Sequence, residues 1–202
     1  MEPTQTLPEH YRQAGTFDIN KNKRLLLLFN AVGMVGLVIS SMLFMNILSW
    51  LRPQAVEQAF EFEMDSFTQL GLLIGVVFAL VLLNTVLHEA IHGFCFWLFT
   101  RSRPRFAFHW TYAYAAAPDW YLPKYPYLAT ALAPLILISL IGILLFLFVP
   151  TGWLASVWFV LVINAAGSVG DLAVAVWLLR QPSTCLAQDT GSAVTLFVPE
   201  KR

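Results

Sequence analysis

Five consecutive residues, His88-Glu89-Ala90-Ile91-His92, carry the clearest chemistry in this sequence. On a helix, positions four apart share a face, so both imidazoles can reach one metal ion, and zinc is the ion this pattern holds in metalloproteases. Glu89 sits beside that face, where its carboxylate can take a proton from a metal-bound water. The motif lies at the end of a long apolar run, and ionisable groups at membrane depth are costly unless paired, hydrated or ligated. The plainer alternative is two histidines and a glutamate hydrogen-bonded to neighbouring helices as structural glue. Gly93 follows directly, and its missing side chain lets another helix approach closely.

Two histidines do not complete a catalytic zinc site, which takes three protein ligands and keeps a position for water. Asp171 ends a 46-residue stretch, Tyr125 to Gly170, that contains no Asp, Glu, Lys or Arg. Asn164, Gly167 and Asp171 fall at i, i+3 and i+7, one helical face, and the small residues around them suit close packing on the helix of the histidines. Asp171 is therefore the candidate third ligand, the alternative being an acid that pairs within the bundle. Asn164 is a candidate for steadying the site or holding substrate, with an interhelical polar clamp as the alternative. His109 is a further candidate ligand or substrate contact, although a histidine among headgroup-level aromatics needs no such role. Asp189, in Gln188-Asp189-Thr190-Gly191, is the last candidate, and a capped turn also accounts for it.

These residues must be positioned by membrane helices. The chain has 202 residues, 58% hydrophobic and 12% charged, against roughly 25% charged in soluble domains; its mean hydropathy is +0.67. Twelve basic and twelve acidic residues cancel, and no basic tract can track a phosphate backbone, which argues against nucleic acid as a partner. Leu25 to Leu51 is a charge-free run of 27 residues, longer than the roughly 20 needed to cross the hydrocarbon layer. A second run starts at Ser66 and passes through the motif to Thr100. Pro150-Thr151-Gly152 divides the 46-residue stretch as a turn between two helices. The sequence thus predicts an all-α membrane protein with about four transmembrane helices, near 25–48, 68–99, 126–149 and 153–179. Residues 1–24 are polar and the segment after them is too long for a signal h-region, so the first span is expected to stay.

Charge sets the expected orientation. Lys21, Lys23 and Arg24 precede the first span, Arg101, Arg103 and Arg105 follow the second, Lys124 precedes the third and Arg180 follows the fourth. With both termini cytoplasmic, every basic group near a span end except Arg52 falls on one side. The expected organisation is a polar cytoplasmic N-terminus over 1–24, a four-span domain over 25–180 and a cytoplasmic C-terminal tail over 181–202. Between the second and third spans, Phe106, Phe108, Trp110, Tyr112 and Tyr114 alternate at period two. That predicts a short interfacial aromatic, β-like segment: either a loop anchored at the headgroups, or a strand beside the site able to pair with an extended peptide. Cys95 and Cys185 have no CxxC spacing; Cys95, in an apolar stretch, reads as a small buried residue.

Leu87-His88-Glu89-Ala90-Ile91-His92-Gly93-Phe94, Tyr112-Ala113-Tyr114, Ala131-Leu132-Ala133-Pro134, Gly167-Ser168-Val169-Gly170-Asp171-Leu172 and Gln188-Asp189-Thr190-Gly191 together resemble a family of small bacterial membrane proteins described as putative zincin peptidases. The resemblance runs from about Leu70 to Phe197. That family is in turn similar to the site-2 protease type of intramembrane metalloprotease. The resemblance implies His88, His92 and Asp171 as ligands of Zn2+, Glu89 as the catalytic glutamate, and location in a bacterial inner membrane. It departs from the protease pattern at the last ligand, where no Asn-Pro pair and no proline immediately precede Asp171. The expected activity is hydrolysis of a peptide bond in a membrane protein or peptide substrate within the lipid bilayer. A non-enzymatic adaptor or transport-related protein with a structural metal or polar site is the alternative, and hydrolysis of a small amide or lipid shares every motif.

Overall fold

A computed structural model describes residues 1–18, 23–61, 65–109 and 112–200, without the side chains of Lys23, Leu25, His109 and Tyr112. The helices follow the charge-free runs. α1 spans Lys23–Leu51, a short α2 spans Val56–Ala59, and α3 runs for 34 residues from Phe67–Thr100. After it come α4, Lys124–Phe148, α5, Thr151–Gly167, and α6, Val169–Leu179. α1, α3 and α4 are each long and apolar enough to cross a membrane, and the bent pair α5 and α6 makes a fourth if counted as one span. The most apolar windows of α1 and α3 are only 6% buried by protein. Val35, Ile39 and Met42 on α1 and Leu72, Ile74 and Phe78 on α3 are exposed. Water would not tolerate this much bare hydrocarbon, whereas lipid does. The chain is an integral membrane protein.

The helix ends have local causes. Arg52 precedes Pro53, which pushes a residue out of the helical region, and Arg52 adopts φ −138°, ψ 58° just after α1. Arg101, at φ 55°, ends α3 in a left-handed cap, its amide donating to the Trp97 carbonyl. Pro150 stands between α4 and α5. The fourth expected span, 153–179, is broken at Ser168. There the amide still makes the helical i→i−4 bond to the Asn164 carbonyl at 3.0 Å, and the hydroxyl donates to the same oxygen at 2.8 Å, a back-bond of the kind that bends helices.

The period-two aromatic segment is a hairpin. β2, Arg105–His109, pairs antiparallel with β3, Tyr112–Ala116, in the register Phe106↔Ala115 and Phe108↔Ala113. A second sheet, for which the sequence reading assigned no strands, has the order β1-β6-β5-β4. Its strands are β1, Tyr11–Phe17, β4, Tyr121–Pro123, β5, Leu186–Asp189, and β6, Val194–Pro199, each antiparallel to its neighbour. The two polar termini therefore meet as adjacent strands. The only local signal was Val194-Thr195-Leu196-Phe197-Val198, where Val194 and Leu196 are buried.

The chain divides into two compact units. The first comprises Met1–Ala31, Glu89–Pro134 and Val169–Arg202. Its core joins Phe96 of α3, Tyr127 and Ala131 of α4, Val174 and Leu178 of α6 and Leu196 of β6. Lys124 is buried here, and its ammonium donates to the carbonyls of Leu179 and Gln181 at 3.0 and 2.6 Å. It thereby satisfies acceptors that the end of α6 leaves without helical donors. The second unit comprises Val32–His88 and Leu135–Ser168. In it Arg52 donates to the carbonyls of Phe146 and Val149 at 3.2 and 3.0 Å, doing the same for α4. The one cation outside the expected charge bias is thus held by a helix C-terminus, where the dipole favours it.

Helix contact in the second unit depends on Gly142. A Cβ there would lie 2.3 Å from Leu161 Cδ2 and 2.7 Å from its Cγ, and Leu161 is fully buried. Gly142→Ala is expected to destabilise the protein by about 1–3 kcal/mol, the usual cost of overpacking a core that cannot yield. The loss is read as a lower thermal midpoint in detergent; an unchanged midpoint would mean that Leu161 can move aside.

Candidate metal centre

His88 and His92 lie one turn apart on α3. α3 is one continuous helix of 34 residues, so the two positions share a face. His92 is buried, and its Nε2 lies 3.5 Å from Oδ2 of Asp171, in the first turn of α6. One ligand atom from each of His88, His92 and Asp171 falls within 4.8 Å of the others. Two donors about 2.0–2.1 Å from a tetrahedral zinc ion stand roughly 3.4 Å apart, close to the His92–Asp171 separation. The break at Ser168 starts a new helix three residues before Asp171, so the carboxylate sits where the helix dipole favours negative charge.

Each histidine is held through its other ring nitrogen. His88 Nδ1 lies 3.0 Å from Oδ1 of Asn164, and His92 Nδ1 lies 3.0 Å from the Thr130 carbonyl oxygen. Both acceptors take a proton from Nδ1, which in the neutral ring leaves Nε2 as the lone-pair nitrogen. A metal-binding histidine is oriented in this way, by a hydrogen bond that settles its tautomer. With two imidazole nitrogens and a carboxylate in one cluster, the donor set fits zinc.

Glu89 is tied to the hairpin: Oε2 accepts the backbone N–H of Ala115, in β3, at 2.7 Å. Close approach at Gly93 comes from that hairpin too, and not from another helix as the sequence suggested. A Cβ at Gly93 would lie 2.2 Å from Cζ of Phe106, so the ring rests directly on the glycine. At Gly167, by contrast, a Cβ would meet nothing within 4 Å among the described residues. It ends α5 without serving a close contact. Asn164 is fully buried and pairs with His88 across 76 residues of chain.

Asp189 does not join the cluster. It accepts the Tyr127 hydroxyl at 2.6 Å and the Gly191 amide at 2.7 Å, closing an Asx-type turn at φ 85°. Burial pushes its carboxyl above the usual range, while those two donors pull it back. Tyr114 of β3 packs on this turn, for a Cβ at Gly191 would lie 2.1 Å from its ring. The side chain of His109 lies outside the described part of the structure.

Two features escaped the sequence reading. Asn84 precedes His88 by one turn, is buried, and its side-chain oxygen has no hydrogen-bond partner among the described residues. The Asn84, His88, His92 spacing was visible but lay in a run read only for hydropathy. The Thr130 carbonyl is a backbone group and has no signature of its own.

A family model described as "Putative zincin peptidase" matches residues 81–186, a little over half of the chain. No curated protein and no solved structure matches it.

Proposed function

The chain belongs to this family of putative zincin peptidases, and from that premise we propose that it is a zinc-dependent, membrane-embedded peptidase. The observation that carries the reading is the cluster of His88, His92 and Asp171 beside Glu89. His88, His92 and Asp171 would hold the ion through two Nε2 atoms and a carboxylate oxygen. Bound there, zinc would supply a water of lowered pKa and polarise the scissile carbonyl. Glu89 then accepts the proton of the attacking water and delivers it to the departing amine nitrogen. Its carboxylate is held for that transfer by the Ala115 amide.

The substrate we propose is a membrane protein or peptide. A helical span hides its peptide carbonyls in its own hydrogen bonds, so it must unwind locally to be cleaved. An unwound segment can pair as an added strand, and the hairpin whose β3 touches Glu89 supports a site for it. We place both termini on the cytoplasmic side, with the basic residues at the span ends as support.

The test is metal removal. Protein purified in detergent is expected to contain close to one zinc per chain by elemental analysis and to cleave fluorescein-labelled casein. Chelation by 1,10-phenanthroline should abolish cleavage, and stoichiometric zinc should restore it. Folded wild-type protein without zinc, or cleavage indifferent to chelation, would overturn the reading.

A further inference from the structure

In an α-helix the amide of residue 134 would donate to the carbonyl of Thr130, four positions earlier. Residue 134 is a proline, within α4, and has no N–H to give. The carbonyl that loses its helical donor is the one His92 uses: Nδ1 stands 3.0 Å from the Thr130 oxygen. Thr130 is 1% exposed, and His92 and Pro134 are buried, so water does not compete for that oxygen. The threonine hydroxyl is turned to the Pro126 carbonyl at 3.0 Å, and the bond to His92 is purely a backbone matter. A buried carbonyl must find a donor, and a buried imidazole must put a proton somewhere.

We infer that Pro134 is a positioning residue of the metal centre: by withholding an amide from Thr130 it keeps that carbonyl for His92 and presents Nε2 toward Asp171. The inference rests on the reading of His92 as a ligand, and it accounts for a proline in the middle of a membrane helix. Such a residue otherwise costs helix stability by about 3 kcal/mol. The carbonyl that the proline orphans has a specific occupant, the His92 ring.

The experiment compares wild type, Pro134→Ala, and a chain with lactic acid in place of residue 134. The last carries an ester that has neither the proline ring nor an N–H. In metal-free protein at alkaline pH, nitrogen-15 spectra of labelled histidine are expected to show His92 protonated at Nδ1 in wild type and in the ester. In Pro134→Ala the restored amide competes for Thr130, and the tautomer should become mixed. Zinc affinity, measured by chelator competition, should fall about 10-fold or more in Pro134→Ala, the scale on which orienting hydrogen bonds act. It should stay at the wild-type level in the ester. A Pro134→Ala protein with wild-type tautomer and affinity would overturn the inference, as would an ester that loses as much as the alanine. Because the tautomer is read without metal, a wild type that bound no zinc would sink the metal centre alone.

Discussion

Glu89→Gln should keep zinc at one per chain while casein cleavage falls by about 10³-fold, within the range removed with a general base. The substitution is conservative where it matters for structure. A glutamine keeps a side-chain oxygen for the Ala115 amide, now bonded at 2.7 Å, so the hairpin keeps its attachment to α3. What it loses is the capacity to accept a proton near neutral pH. The measurement pairs initial rates with elemental analysis on the same preparation. Full activity in Glu89→Gln would mean that another group takes the proton, and would favour a structural role for the carboxylate.

Asp171→Ala has the complementary effect. One of three clustered donors disappears, and with it the oxygen 3.5 Å from His92 Nε2. Loss of a hydrogen bond that merely orients a ligand costs about 10–100-fold in metal affinity, and loss of the ligand itself should exceed that. Zinc per chain after dialysis is expected to fall close to zero, and cleavage with it. Retention of full zinc would show that the carboxylate is no ligand and would shift weight to a polar clamp among helices. The two variants also separate the proposals. Glu89→Gln retains metal without turnover, whereas Asp171→Ala loses both.

The positions of the spans and of the histidine pair were legible because they depend on residues close together in sequence. A charge-free run longer than the bilayer is wide becomes a helix in lipid, and residues four apart on it share a face. The aromatic hairpin was legible for the same reason, its period of two spanning only a few residues. Asp171 stood out because a lone acid directly after 46 uncharged residues, within a membrane span, is expensive unless it serves a site. The break at Ser168 was not foreseen. The small residues there were read for packing, whereas the Ser168 hydroxyl bonds back to the Asn164 carbonyl at the bend.

Sequence alone thus determined the membrane setting, the helix that carries two imidazoles and a glutamate, and the acid that joins them. Tertiary structure alone decided how those groups are held. His88 meets Asn164 from 76 residues away, His92 meets the Thr130 carbonyl from 38, and Glu89 meets the Ala115 amide from 26. Likewise, β1 and β6 pair from opposite ends of the chain. Two of the three site partnerships use a backbone group, which every residue possesses and no residue type advertises. Whether such a group is engaged depends on whether its helical or ladder partner is missing, and on what the fold then brings within about 3 Å of it.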